Sequence, residues 1–315
     1  MTALLTAQVA LDITSPATVH PATVRRAAAP APATNAAPAI ELPRSDTDDM
    51  ARRLQDWSNK EITGSIELTI VIPAYNESKR IVCTIASIAA HVAPRYDSWE
   101  LVIADDGSRD DTVAKVERLG LANLRVLRAE CNGGKGSAVQ RGIRAARGAT
   151  VLFSDADMST PIAAIGDLLD SISMGADVAV GSRALARDKA ERGAIRKVLS
   201  FGLRMYQRVL VPTGVQDTQC GFKMFRRDSA LEILDHCEVQ GFAFDIDMLY
   251  TAHRLNMTID ERPVDWVDAP GSKVRPIKDS LAFAKEMLKI RARWEAKHRA
   301  GFVAAQRVTG WNAGV

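Results

Sequence analysis

The chain reads as an α/β protein with a mostly parallel sheet covered by helices on both faces, and three observations predict it. Strand and helix patterns alternate with short links from Ile66 to Arg183, which implies right-handed crossovers between parallel strands. Apolar runs such as V-L-F (151–153) have the composition of strands buried on both faces. Three successive strand patterns end in polar groups: P-A-Y-N-E (73–77), D-D-G-S (105–108) and S-D-A-D (154–157). Open sheets of this class bind ligands at the carboxyl ends of their strands. A chain of 315 residues, 47% of them hydrophobic, can bury the core such a sheet needs.

Taken in order, residues 1–45 are rich in Ala, Pro, Thr and Val without sustained periodicity. Too few large apolar groups stand there to offset the entropy of ordering, so a disordered leader is expected. Residues 46–65 are expected to form a linker helix into a domain spanning 66–275. E-L-T-I-V-I-P-A-Y (67–75) predicts a strand that breaks at Pro73, and 78–91 a helix with Ile81, Ile85 and Ile88 on one face. W-E-L-V-I-A-D-D-G-S (99–108) is a second strand, 112–119 a helix, L-R-V-L-R (124–128) a third strand and 136–146 a helix. The strand at 151–154 precedes a helix that accepts Pro161 in its first turn and that Ser159 or Thr160 can cap. D-V-A-V-G-S-R (177–183) is a further strand. Basic amphipathic helices follow at 191–210 and 276–300, and a tail at 301–315.

Some function classes fall away on composition. A net charge of +3 is too small for a nucleic-acid binder. Cys83, Cys131, Cys220 and Cys237 lack the pair spacing of a metal site, so a reduced, cytoplasmic chain is expected. Met1 to Leu11 lacks the basic start and long apolar core of a signal peptide. No run of about 18 apolar residues occurs, so no transmembrane segment is expected.

Asp155 and Asp157 carry the sharpest chemistry. Two fixed carboxylates make a poor closed cage for a metal. They suit a hard divalent ion, Mg²⁺ or Mn²⁺, that keeps its other positions for water and the phosphates of a nucleotide. A lone D-x-D is ordinarily a solvated turn, and Asn76 and Gly107 are equally good turn formers. The place of this pair at the end of an apolar strand, beside two other polar strand ends, favours a site.

The ordered motifs I-P-A-Y-N-E, A-D-D-G-S, N-G-G-K-G, D-A-D and G-S-R resemble those of family 2 glycosyltransferases with the GT-A fold. D-T-Q-C-G-F-K (217–223), F-D-I-D-M-L (244–249) and P-G-S-K-V (270–274) narrow the likeness to the polyprenyl-phosphate (dolichyl-phosphate) glucosyltransferase branch. The resemblance covers Ile66 to Trp294. It implies that Pro73, Tyr75 and Glu77 cradle the base and ribose of a nucleotide sugar, UDP-glucose, and that Asp106 binds the uracil or ribose edge. It also implies that Asp155 contacts ribose or metal and that Asp157 ligates Mg²⁺ or Mn²⁺ on the diphosphate. Ser159 holds the place of a further polar metal ligand and would act through water. Lys135 adds a point charge or stabilises its loop, since N-G-G-K-G lacks the Walker spacing.

Arg183 in G-S-R suits a phosphate of donor or acceptor, and Arg196 the acceptor phosphate. Lys273, in a loop hinged at Gly271, is expected to close over the diphosphate. A lipid phosphate has a second pKa of about 6 and is already a nucleophile at neutral pH. Asp217 first, and Asp245 second, are therefore expected to position acceptor or sugar, and Asp247 to cap a helix. Phe283, Met287, Ile290 and Trp294 form an apolar stripe among Lys285, Lys289, Arg291, Arg293 and Lys297. Such a helix fits an anionic membrane surface as well as a protein core. The expected function is inverting, metal-dependent transfer of glucose from UDP-glucose to a polyprenyl phosphate, on the inner face of the membrane. The alternatives are a family 2 enzyme with a soluble acceptor, which the lack of a spanning helix favours, and an inactive nucleotide-sugar-binding module. Intact Asp155, Asp157, Asp217 and Arg183 disfavour the last.

Overall fold

The computed structural model describes residues 24–26, 65–186, 205–267 and 276–302. The expected linker helix, most of the 191–210 helix with Arg196, the loop carrying Gly271 and Lys273, and the tail from 303 lie outside these residues.

Strands β1 Val24–Arg26, β2 Leu68–Ala74, β3 Trp99–Asp105, β4 Leu124–Arg128, β5 Thr150–Ser154, β6 Val178–Ser182, β7 Phe222–Arg226 and β8 Ile259–Pro263 form one sheet. Their order is β1-β8-β6-β7-β5-β2-β3-β4. All neighbours are parallel except β5–β7 and β6–β7, so β7 is inserted antiparallel among the rest. The helices are α1 Ile81–Val92, α2 Thr112–Glu117, α3 Lys135–Ala145, α4 Ile165–Ser173, α5 Arg227–Leu234, α6 Phe244–Arg254 and α7 Pro276–Arg299.

Strand side chains alternate between faces, and here both faces are dry. Val71, Val151, Phe153, Val180 and Phe225 meet Val139, Phe244, Met248 and Trp294 on one side. Ile70, Ile72, Leu152 and Met224 meet Ile85, Ile88, Ile165 and Leu168 on the other. That is why the strand sequences are apolar throughout. α3 lies so close to the sheet that a Cβ at Gly142 would stand 2.2 Å from Val71 Cγ1.

Five features differ from expectation. Val24–Arg26, within the stretch expected to be disordered, pairs with β8; an open sheet edge offers backbone partners whatever the side chains. β2 continues through Pro73 to Ala74. Its ladder to β5 ends at Val71, so the N–H that Pro73 lacks falls beyond that ladder. Neither Ser159 nor Thr160 caps a helix: Pro161 stands at the head of a 3₁₀ turn, Ile162–Ala164, with no side-chain cap. β7 begins at the end of the D-T-Q-C-G-F-K motif, where no strand was expected. Lys223, its second residue, hides the strand pattern.

The fifth concerns α7. Phe283, Met287, Ile290 and Trp294 are all buried in the core, so this stripe is not available to a membrane. Asp247, expected as a cap, is instead wholly buried and accepts the N–H groups of Glu238 (3.0 Å) and Val239 (3.1 Å). It also pairs with Arg293 of α7. Arg291 binds Glu295 and the Val209 carbonyl at the surface. Arg293→Ala leaves a buried carboxylate uncompensated and is expected to cost about 3–5 kcal/mol. Arg291→Ala should cost less than about 1 kcal/mol. Urea unfolding of the two variants measures the difference.

Candidate active site

Strand register brings the polar termini to one edge. Ala74 stands beside Asp105, Ser154 beside Phe222 and Ser182 beside Pro263. Because β7 runs the other way, the residues that precede it, 217–221, arrive at this same edge.

At the β2–β3 end the two loops are laced together. Asp105 is buried, and its Oδ2 accepts the N–H groups of Gly107 and Ser108, both at 3.1 Å. Ser108 Oγ accepts from Asn76 N (2.9 Å), and Asn76 Oδ1 from Arg109 N (2.8 Å). Asn76 holds a left-handed φ of 54°, a conformation Asn tolerates better than most residues. Asp106 accepts the N–H groups of Gly133 (3.0 Å) and Gly134 (2.8 Å), and so fixes the glycine-rich loop that opens α3. A cleft of about 510 Å³ opens between the loops after β3 and β4, lined by Gly107, Ser108, Arg109, Arg128, Cys131 and Asn132 among others. In the β2 loop Pro73 is buried, Tyr75 is half-buried, and Glu77 pairs with Arg80 at 2.9 Å.

At the centre stands Asp155. Its N–H donates to the Gly221 carbonyl (3.0 Å), and a Cβ at Gly221 would lie 2.0 Å from Asp155 Oδ2. Only glycine leaves room for this carboxylate. Lys135, the first residue of α3, places Nζ 2.6 Å from Asp155 Oδ1. Asp157 is exposed at the rim, where its Oδ1 accepts the Ser159 N–H at 3.0 Å. Ser159 thus acts here through its backbone. Behind Lys135 lies a second pair: Lys223 Nζ donates to Asp245 Oδ1 and to the Cys220 carbonyl, each at 2.5 Å. Burial raises the Asp245 pKa, and its two lysine neighbours only partly counter that. Burial likewise pushes the Cys220 thiol up to about 11.

On the β6 side, Asp217 grips Arg183 three times. It accepts from the backbone N–H (2.9 Å), Nε (2.7 Å) and Nη2 (2.8 Å). The guanidinium also lies 5.6 Å from the Trp266 ring centroid, within cation–π range. Asp217 is itself held in place, since its N–H and that of Gln216 donate to buried Glu261. Burial acts to raise the Asp217 pKa, but the hydrogen bonds and charge of Arg183 outweigh it and hold the carboxyl below its usual range.

The structure therefore gathers Asp155, Lys135 and Asp245 into one cluster and Arg183 with Asp217 into another. Lys223, Gly221, Glu261 and Trp266 were given no role by sequence; Gly221 and Lys223 lay in the motif D-T-Q-C-G-F-K, and Glu261 and Trp266 lay in none. Among the described residues no three His, Cys, Asp or Glu converge on a metal position. The pair Asp155 and Asp157 offers only hard carboxylate oxygen, one group backed by a lysine and the other at the rim. That donor set fits Mg²⁺ or Mn²⁺ sharing its coordination with phosphate and water.

Residues 69–234 match the sequence family described as glycosyl transferase family 2. The chain belongs to this family. Its relatives include the dolichyl-phosphate beta-glucosyltransferase of Dictyostelium discoideum, 34% identical over 252 residues that cover 75% of this chain and 77% of the relative. The Saccharomyces cerevisiae enzyme of the same name is 33% identical over 77% of this chain and 79% of its own. Among solved structures, glucosyl-3-phosphoglycerate synthase from Mycobacterium tuberculosis with Mn²⁺, uridine-diphosphate and phosphoglyceric acid superposes with a TM-score of 0.54. It is 21% identical, over 80% of this chain and 83% of that one. Mannosyl-3-phosphoglycerate synthase from Rubrobacter xylanophilus gives 0.51 at 19% identity, over 84% and 82%. The family 2 protein is thus a glycosyltransferase with the GT-A fold.

Two outcomes follow for this glycosyltransferase. Gly221→Ala should displace Asp155 and lower kcat/KM by about 100-fold while the far-ultraviolet circular dichroism is unchanged. The Asp217 pKa is lowered from 3.8, so its stabilising effect is complete above that value and is lost as pH falls through the lower, folded one. The stability difference between wild type and Asp217→Asn should be largest above about pH 4 and shrink below it, as read by urea unfolding across pH.

Proposed function

We propose that this glycosyltransferase moves glucose, with inversion, from UDP-glucose to a polyprenyl phosphate, using Mg²⁺ or Mn²⁺ held by Asp155 and Asp157. One observation carries the choice of acceptor. Each carboxylate on the acceptor side is already engaged: Asp217 by Arg183, Asp245 by Lys223 and Glu261 by backbone N–H groups. A hydroxyl acceptor needs a base, whereas a phosphate monoester with a second pKa of about 6 attacks without one. The dolichyl-phosphate beta-glucosyltransferase names of the relatives support the same acceptor and sugar.

In this reading the loops after β2 and β3 hold the nucleoside through Tyr75, Glu77 and Asp106, next to the cleft that the loops after β3 and β4 enclose. The divalent ion, when bound, supplies positive charge to the departing diphosphate. Lys135 adds a fixed cation: burial works to lower its pKa, but Asp155 and Asp245 more than reverse that and keep the amine charged. Arg183 gives Nε and Nη2 to Asp217 and so turns its Nη1 edge to the acceptor phosphate. A phosphate oxygen forms the bond to the anomeric carbon as the bond to the diphosphate oxygen breaks, and no proton changes hands. Lys273 and Arg196 are assigned to the diphosphate and the acceptor phosphate on the family resemblance.

No helix of the described residues is long and apolar enough to cross a membrane. Membrane contact is assigned to the helical residues 205–210, where Met205, Tyr206 and Val209 are exposed beside Arg208.

Calorimetric titration should show UDP binding that requires Mn²⁺, and Asp157→Ala should abolish it without changing Tm. Label from UDP-[¹⁴C]glucose should partition into organic solvent only when polyprenyl phosphate is present. UDP affinity indifferent to Asp157→Ala would overturn the metal assignment, and label transferred only to a water-soluble acceptor would overturn the lipid one.

A further inference from the structure

Lys223 is a lysine within a central strand, β7, with no exposed surface, and the reaction described above gives it no task. Burying an ammonium is costly unless a charge meets it, so its partner matters. That partner is Asp245, itself almost wholly buried in the first turn of α6. Lys135 lies close by. Its Nζ and that of Lys223 each stand 5.5 Å from the centroid of the Phe153 ring, and Lys135 is 5.9 Å from Phe244. The two ammonium groups thus share one aromatic wall, and each pairs with its own carboxylate, Lys135 with Asp155 and Lys223 with Asp245.

Both ammonium groups lie 5.5 Å from the same Phe153 ring, and Asp245 acts electrostatically on Lys135 as well as on Lys223, so an Asp245 without its own cation would draw Lys135 inward. We propose that Lys223 is a positioning residue of the transfer site: by occupying Asp245 it reserves Lys135 for Asp155. Lys135 is then kept at the site's edge, where the donor diphosphate binds. That last consequence rests on the function proposed above; the pairing itself does not.

The test uses the full chain and two variants, Lys223→Met and the charge-neutral Lys223→Met/Asp245→Asn. In a crystal structure of Lys223→Met, Lys135 Nζ is expected on Asp245 and away from Asp155. UDP affinity in saturating Mn²⁺ should fall by about tenfold or more, as when a supporting partner of a metal ligand is lost. The double variant removes the competing carboxylate and should restore both the Lys135–Asp155 contact and the affinity. A merely structural Lys223 would lower Tm without moving Lys135. Lys135 still on Asp155 in folded Lys223→Met overturns the inference. If Lys223→Met does not fold, Lys223→Gln, which keeps a donor but not the charge, is read the same way. A wild-type protein that fails to bind UDP with Mn²⁺ sinks the proposed donor instead, and the crystal structures still decide the pairing.

Discussion

Four charged side chains, Asp155, Lys135, Asp245 and Lys223, meet at the carboxyl edge of the sheet, the inner two where burial forbids a lone charge, and the neighbouring structure is arranged around that requirement. Each carboxylate faces an ammonium at 2.5–2.6 Å; Lys223 and Asp245 are buried, whereas Lys135 and Asp155 keep 26% and 31% of their side chains exposed towards the site. Attraction in such a setting is strong only when geometry is held, because desolvation has already removed the alternative partners. The holding is done by backbone. Asp155 follows β5 directly, Lys135 begins α3 and Asp245 lies in the first turn of α6. Gly221 yields the space that any side chain would take from Asp155.

The antiparallel strand is what makes this convergence geometric rather than accidental. In a wholly parallel sheet, the segment leading into a strand lies at the amino edge, opposite the ligand-binding side. Reversing β7 delivers Asp217, Cys220 and Gly221 to the edge where β5 and β6 end. Asp217 can then grip Arg183 just beyond β6, and Glu261 on β8 can hold Asp217 through its backbone. Three adjacent strands contribute to presenting one guanidinium. The same reversal places Lys223 under the site, since its register partners are Phe153 on β5 and Val180 on β6.

α7 shows how one pattern serves two environments. An apolar stripe flanked by lysines and arginines has the same signature on a bilayer and on a protein core. What decides here is Asp247. Its buried carboxylate collects two backbone N–H groups and the Arg293 guanidinium, so one of the basic residues that suggested a membrane is an internal partner. Trp294, flanked by His236 and Phe302, completes the seal of that end.

The sequence by itself determined the alternation of strands and helices from Ile66 to Arg183, because dry strands must be apolar and crossovers must be short. It also placed Asp155, Asp157 and Asp106 at strand ends, and the ordered motifs were enough to reach family 2. Pairings escaped it. Lys223 looks like a break in a hydrophobic run, and Glu261 in I-D-E-R-P carries no local signal. Their roles arise from residues tens of positions away that only the folded sheet brings close. Local pattern reports what a side chain avoids, namely water or apolar surroundings. Which charge it faces, and so whether Asp217 holds Arg183 or Asp245 holds Lys223, is a property of three-dimensional distance that no one-dimensional spacing encodes.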